Sequence, residues 1–155
     1  MARSAPGGRL NRVTSFDDAH RAFLEQNHGA TMITLRPDGA AHAVRVGVAL
    51  VDGKLWSSGT QTRVRTAHLR RDPRSTIWVF DNQFKWLTIE STVTLLEGDD
   101  AAALSVKLFR VMQNKPSGGL NWFGKVLDED GFLRQMKDEQ RLVYQFEPLR
   151  VYGAV

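Results

Sequence analysis

Cysteine is absent from this 155-residue chain. That excludes disulfides, thiolate metal sites, cysteine-held iron–sulfur clusters and cysteine nucleophiles, and it is compatible with a reducing cytosol. No run of about 18 apolar residues occurs, so no segment reads as a membrane-spanning helix. The opening stretch MARSAPGGRLNRV lacks the apolar core of a signal peptide, and the expected location is the cytoplasm. There is no Walker A loop, no Gly-rich dinucleotide fingerprint on a βαβ unit and no nucleophile elbow. The histidines, His20, His28, His42 and His68, do not stand at metal-ligand spacing, so no metal is expected. Each suits a surface or a satisfied core position. The acids Glu97, Asp99, Asp100 and Asp128 to Asp130 read as solvated turn and cap residues.

What is present suits one domain. Hydrophobic residues make up 42% of the chain, enough for a core, and charged residues 25%. The pI near 9.8 raises nucleic acid as a partner. The surplus behind it is small and local, however. The chain carries 21 basic and 17 acidic side chains, and Gln61 to Arg74 alone holds five Arg against one Asp. The whole net charge of +4 therefore sits in that segment. It follows directly on Ser57, Ser58, Gly59 and Thr60. Hydroxyls, a glycine, a helix start and guanidinium groups are the chemistry of an anion site, and phosphate is the most economical anion. The same residues also suit a capped surface helix with a solvated basic face. Interleaved aromatics of the kind that stack on bases are missing, so a small phosphorylated ligand is expected and nucleic acid is not.

Along the chain, residues 1–14 read as a flexible tail and residues 15–155 as the folded domain. A helix is expected from Ser15, with Ser15 and Asp18 as a capping pair, to about Asn27. Strands are expected at His28–Arg36, Ala41–Val51 and Lys54–Ser58, joined by turns at Pro37-Asp38-Gly39 and Asp52-Gly53. Thr62 reads as the N-cap of a basic helix that presents Val64, Ala67 and His68 to the core and ends at Pro73. Two more strands follow at Ser75–Asp81 and Trp86–Gly98, the second with Leu87, Ile89, Val93 and Leu95 on one face. A helix is expected over Asp99–Gln113, a short one around Trp122 to Leu127 broken at Gly131, and another over Phe132–Glu139. The last strand is Arg141–Tyr152, bent at Pro148. Six strands, short turns and a late helical insertion imply a mainly β (α+β), six-stranded antiparallel barrel, which leaves no exposed edge.

Particular stretches carry a resemblance: Thr34–Gly39 (TLRPDG), His42–Trp56 (HAVRVGVALVDGKLW), Thr62–Val79 (TRVRTAHLRRDPRSTIWV), Leu108–Arg110 (LFR) and Arg150–Gly153 (RVYG). In these, over about residues 15 to 153, the chain resembles the flavin/deazaflavin oxidoreductase superfamily. That is the split β-barrel group typified by pyridoxamine 5′-phosphate oxidase, and the closer likeness is to its actinobacterial, coenzyme F420-dependent branch. The resemblance implies a cofactor groove at a homodimer interface. It implies a phosphate site from Ser58, Gly59, Thr60, Thr62, Arg63 and Arg65, with Arg65 where relatives often place Lys. It implies that Arg45, Val46 and Gly47 line the ring and that Phe84 and Trp86 reach the partner's cofactor. Ser91 stands where many relatives have Gly.

The function so implied is hydride transfer from reduced coenzyme F420 to a small organic acceptor. No side chain stands out as a proton donor, and Arg45 is the candidate for stabilising charge near the ring. The same fold also serves FMN enzymes and non-catalytic cofactor-binding or storage proteins, and both alternatives stay open.

Overall fold

Asp17 starts the first helix. Its side chain accepts a 2.8 Å hydrogen bond from the His20 amide and caps α1, Asp18–Gln26. The structure, a computed structural model, describes residues 16–155. The expected tail at 1–14 and the Ser15 cap lie outside the described residues. Phe23 and Leu24 are the buried residues of α1, and they close one end of a barrel.

The barrel strands are β1 (Gly29–Leu35), β2 (Ala41–Val51), β3 (Lys54–Thr60), β4 (Arg74–Phe80), β5 (Trp86–Leu96) and, last in the chain, β8 (Arg141–Ala154). They pair antiparallel in the order β1-β2-β3-β8-β5-β4, and β4 returns to β1 to close the ring. This is the expected six-stranded architecture. Alternation puts Met32, Val48, Leu55, Ile77, Val79, Leu87, Ile89, Leu142, Tyr144 and Phe146 inside. Val93 joins the same core and Leu95 packs against it. The β5–β8 register shifts between Glu90 and Ser91, so Leu149, next to Pro148, bulges unpaired and β8 runs on.

Between β3 and β4 lies α2, Val64–Arg71. Thr62 does not cap it. Arg63 occupies the N-cap position, no side chain bonds the first-turn amides, and the Thr62 hydroxyl lies 3.3 Å from that of Thr60. The buried residues are Thr66, His68 and Leu69, whereas Val64 and Ala67 face solvent. A buried hydroxyl decides this. Thr66 donates to the Thr60 carbonyl at 2.7 Å and meets the Tyr144 hydroxyl at 2.5 Å, which turns α2 away from the face that apolarity alone selects.

α3, Ala101–Met112, packs Leu108 and the partly buried Met112 on Ala49, Trp56 and Val143, outside β2, β3 and β8. The next segment is not a helix. β6 (Leu120–Trp122) and β7 (Lys125–Leu127) form a hairpin whose turn residues Phe123 and Gly124 both have positive φ, which no helix accommodates. Nor does Gly131 break the chain. It lies inside α4, Glu129–Asp138, where its amide donates to the Asp128 carboxylate at 2.7 Å. With Asp128 as N-cap, glycine in the first turn is tolerated. α3, α4 and the hairpin share a second apolar cluster around Leu120, Phe132 and Met136.

Candidate functional site

The end of β3 and the start of α2 meet the hairpin across a groove of about 300 Å³. Arg45, Val46 and Gly47 of β2, Ser58 of β3, Arg63 and Arg65 form one side, and Arg141 from the start of β8 stands among them. Phe109, Met112, Trp122 and Phe123 form the other. Four arginines line the groove and no carboxylate does.

Each side is held by the fold. Ser57 points away from the groove and donates to the Gly47 carbonyl at 2.7 Å, locking β2 to β3. Gly59 faces Tyr144, and a Cβ there would overlap the phenol ring and hydroxyl. That close approach lets Tyr144 reach Thr66 and fix the first turn of α2. The Arg65 Nη2 donates to the Ser58 carbonyl at 3.3 Å, and its guanidinium lies 5.7 Å from the Tyr144 ring centre. The Arg141 Nη1 lies 3.4 Å from the Ser58 hydroxyl, Nη2 lies 3.1 Å from Glu139, and the guanidinium stacks 4.9 Å over Trp122.

Two partly buried cations thus stand beside Ser58. The Nε atoms of Arg65 and Arg141 are buried and have no hydrogen-bond partner. Burial pulls the Arg65 guanidinium below its ordinary range. Tyr144 opposes this, and the nearby positive charges of Arg63 and Arg141 add to it. An anion between the arginines relieves the repulsion between their charges. Burial also pushes the Tyr144 phenol up, so its hydroxyl stays protonated as a hydrogen-bonding group. The donor set therefore fits a phosphate, Phe109, Met112 and Trp122 offer a planar ring an apolar surface, and Phe123 stands exposed at the groove's edge.

The family described as pyridoxamine 5′-phosphate oxidase matches residues 16–152. The chain belongs to that family. Its fold is shared by a conserved hypothetical protein from Mycobacterium tuberculosis, at 20% identity with a TM-score of 0.70 over 94% of this chain and 88% of that one. It is shared by a protein titled F420 reductase, at 16% identity with a TM-score of 0.65 over 88% and 98% of the two chains. The heme storage protein HutZ from Vibrio cholerae is similar at 11% identity with a TM-score of 0.63 over 90% and 95%. At these identities the likeness is one of fold. No curated protein matches the sequence.

Of the residues expected at a cofactor, this family member brings Arg45, Val46, Gly47, Ser58, Arg63 and Arg65 to one groove. Gly59, Thr60 and Thr62 sit beside it without lining it. Gly59 and Thr60 are buried in the barrel wall, and Thr62 is exposed at the turn. Phe84 and Trp86 lie elsewhere. Phe84 is 94% exposed at the tip of the β4–β5 turn, and Trp86 packs edge-on against Tyr152. Ser91 is turned inward, donating to the Ser75 carbonyl at 2.8 Å. The later arginines also stand outside the groove. Arg70 pairs with Glu97 at 2.8 Å, Arg71 donates to the Leu35 carbonyl and Arg74 pairs with Asp72 at 2.7 Å.

Sequence reasoning missed Arg141, Phe109 and Met112. Arg141 is the most consequential, because its side chain is only 9% exposed and bridges both walls. An arginine that opens a strand far from the basic cluster gives no local signal.

Among the described residues no three His, Asp or Glu side chains group as metal ligands, and no helix is long and apolar enough to cross a membrane.

Proposed function

We propose that this protein is an oxidoreductase that binds reduced coenzyme F420 in the groove and passes a hydride to a small organic acceptor. The observation that carries the reading is the convergence of Arg45, Arg63, Arg65 and Arg141 around Ser58 in a groove lined by no carboxylate. Arg63, Arg65, Arg141 and the uncapped start of α2 hold the phosphate. Val46 and Gly47 of β2 offer backbone to the ring, and Arg45 stabilises negative charge near it. When bound, the deazaflavin supplies the hydride, and the protein supplies position and charge.

Arg141 favours the deazaflavin over FMN, the other cofactor this fold can carry. It lines a second, larger crevice of about 690 Å³ with Gln61, Asp99, Ala101, Ala102 and Lys137. FMN ends at its phosphate, whereas F420 continues beyond it as an acidic tail, and the crevice offers that tail room and two cations, Lys137 and Arg141, against one acid, Asp99.

The proposal extends to a homodimer. Strand pairing sets Arg45, Thr31, Trp78, Thr88 and Tyr152 side by side across the outer face of the barrel. Trp78 stacks on Phe80, and both are exposed, as is Tyr152. A contiguous aromatic face of this kind favours burial against a partner. It runs from the groove's own Arg45 toward Trp86, so a second copy would bring Phe84 and Trp86 to the groove that their own chain keeps from them.

Titration of the purified protein with F420 and with FMN tests the reading. Tight F420 binding is expected, weakened in Arg63→Glu/Arg65→Glu by several kcal/mol, since each charged hydrogen bond contributes roughly 1.5–3 kcal/mol. FMN binding without F420 binding assigns the groove to the flavin. Tight F420 binding with no turnover against quinones and nitro compounds assigns a carrier role.

A further inference from the structure

Phe123 is a side chain that folding does not explain. It is the first of two turn residues between β6 and β7, with φ of +48°, and Gly124 follows at +83°. Trp122 and Lys125 pair to close the hairpin. Such a turn favours Asn-Gly, and an aromatic residue there is strained. Burial does not offset the strain, because Phe123 is 86% exposed. Its ring meets Trp122 edge-on at 4.9 Å.

The frame beneath is stiff. The Gln113 side chain bonds both the amide and the carbonyl of Asn121, each at 2.8 Å. Trp122 packs against Phe109 at 5.1 Å and Phe132 at 5.4 Å. A strained, exposed aromatic residue on a rigid mount at the edge of a groove has the character of a ligand contact. The facing wall is cationic and the lining holds no carboxylate, which disfavours a positively charged ligand.

We propose that Phe123 is the platform on which the ring of the acceptor stacks, and that it selects planar, conjugated acceptors that are neutral or anionic. This deepens the oxidoreductase reading and rests on it. The test compares wild type with Phe123→Asn, which suits the turn but removes the ring, and Phe123→Tyr, which keeps the ring. Menadione, a planar neutral quinone, is the probe.

Phe123→Asn is expected to raise Tm by about 2–4 °C as the strain is relieved. The Kd for F420 stays within about twofold, while KM for menadione rises about five- to tenfold, the size of one aromatic contact. Phe123→Tyr restores KM. An unchanged KM in Phe123→Asn overturns the proposal. So does a Kd for F420 that rises in step with KM, which makes the ring a cofactor contact, or a lowered Tm, which removes the strain argument. Saturation-transfer NMR of menadione on cofactor-free protein separates the two readings. A signal in wild type that is lost in Phe123→Asn upholds the platform even if F420 does not bind, and no signal in wild type overturns it.

Discussion

His68 ties the basic helix to the barrel. It is buried, and its Nδ1 lies 2.9 Å from the Thr34 hydroxyl. Burial lowers its pKa below the ordinary histidine value, and the facing His42, Arg71 and Arg36 lower it further. The folded protein therefore binds fewer protons at His68 than the unfolded chain does. Stability from this group is full above the unfolded value near 6.5 and falls as pH drops from there toward the folded pKa. Thermal melts between pH 7.5 and 5 are expected to show a falling Tm, with a shallower fall in His68→Gln. Gly59 is a second single-residue constraint, since a Cβ there meets Tyr144. Gly59→Ala is expected to destabilise by about 1–3 kcal/mol in urea unfolding. It should also weaken cofactor binding by displacing the Thr66 contact that seats α2, and an unchanged affinity would separate that contact from the proposed phosphate site.

Helix caps and turns set the local frame. Asp17 caps α1 through the His20 amide, so Asp17→Ala is expected to cost about 1 kcal/mol by chemical denaturation. Thr62→Ala is expected to change stability by less than about 0.5 kcal/mol, because Thr62 caps nothing. Equal losses would restore Thr62 as the cap. Most elements were legible in the chain. Alternation in β1, β2 and β5 and the Asp52-Gly53 turn each stated their own geometry. The misread elements follow one cause. Around Trp122 to Leu127 an apolar run suggested a helix, yet only Trp122 and Leu127 pack on the cluster built by α3 and α4, while Phe123 and Val126 are exposed. The orientation of α2 likewise depends on Tyr144, which lies 78 residues further along the chain. Local pattern carries no information about partners that distant.

At the scale of the molecule, the exposed face of Trp78, Phe80 and Tyr152 is the strongest sign of assembly. Light scattering is expected to report a dimer, and Trp78→Lys/Phe80→Lys to shift it toward monomer. If the cofactor groove is completed by the second copy, the same substitutions weaken F420 binding, although neither residue lines the groove. A monomeric wild type would remove the cross-subunit role of Phe84 and Trp86.

The sequence by itself determined the barrel and placed one half of the lining of the candidate groove. Strand periodicity and turn chemistry act over a few residues, and the basic cluster sits next to the strand end that it serves. Only the tertiary structure decided the other half. Closing the ring brings the start of β8 beside the end of β3, which carries Arg141 to Ser58. Docking α3 and the hairpin on that side sets the aromatic wall opposite the arginines. These contacts join residues some 80 positions apart, and their register is set by packing, a property of the closed barrel that no local stretch contains.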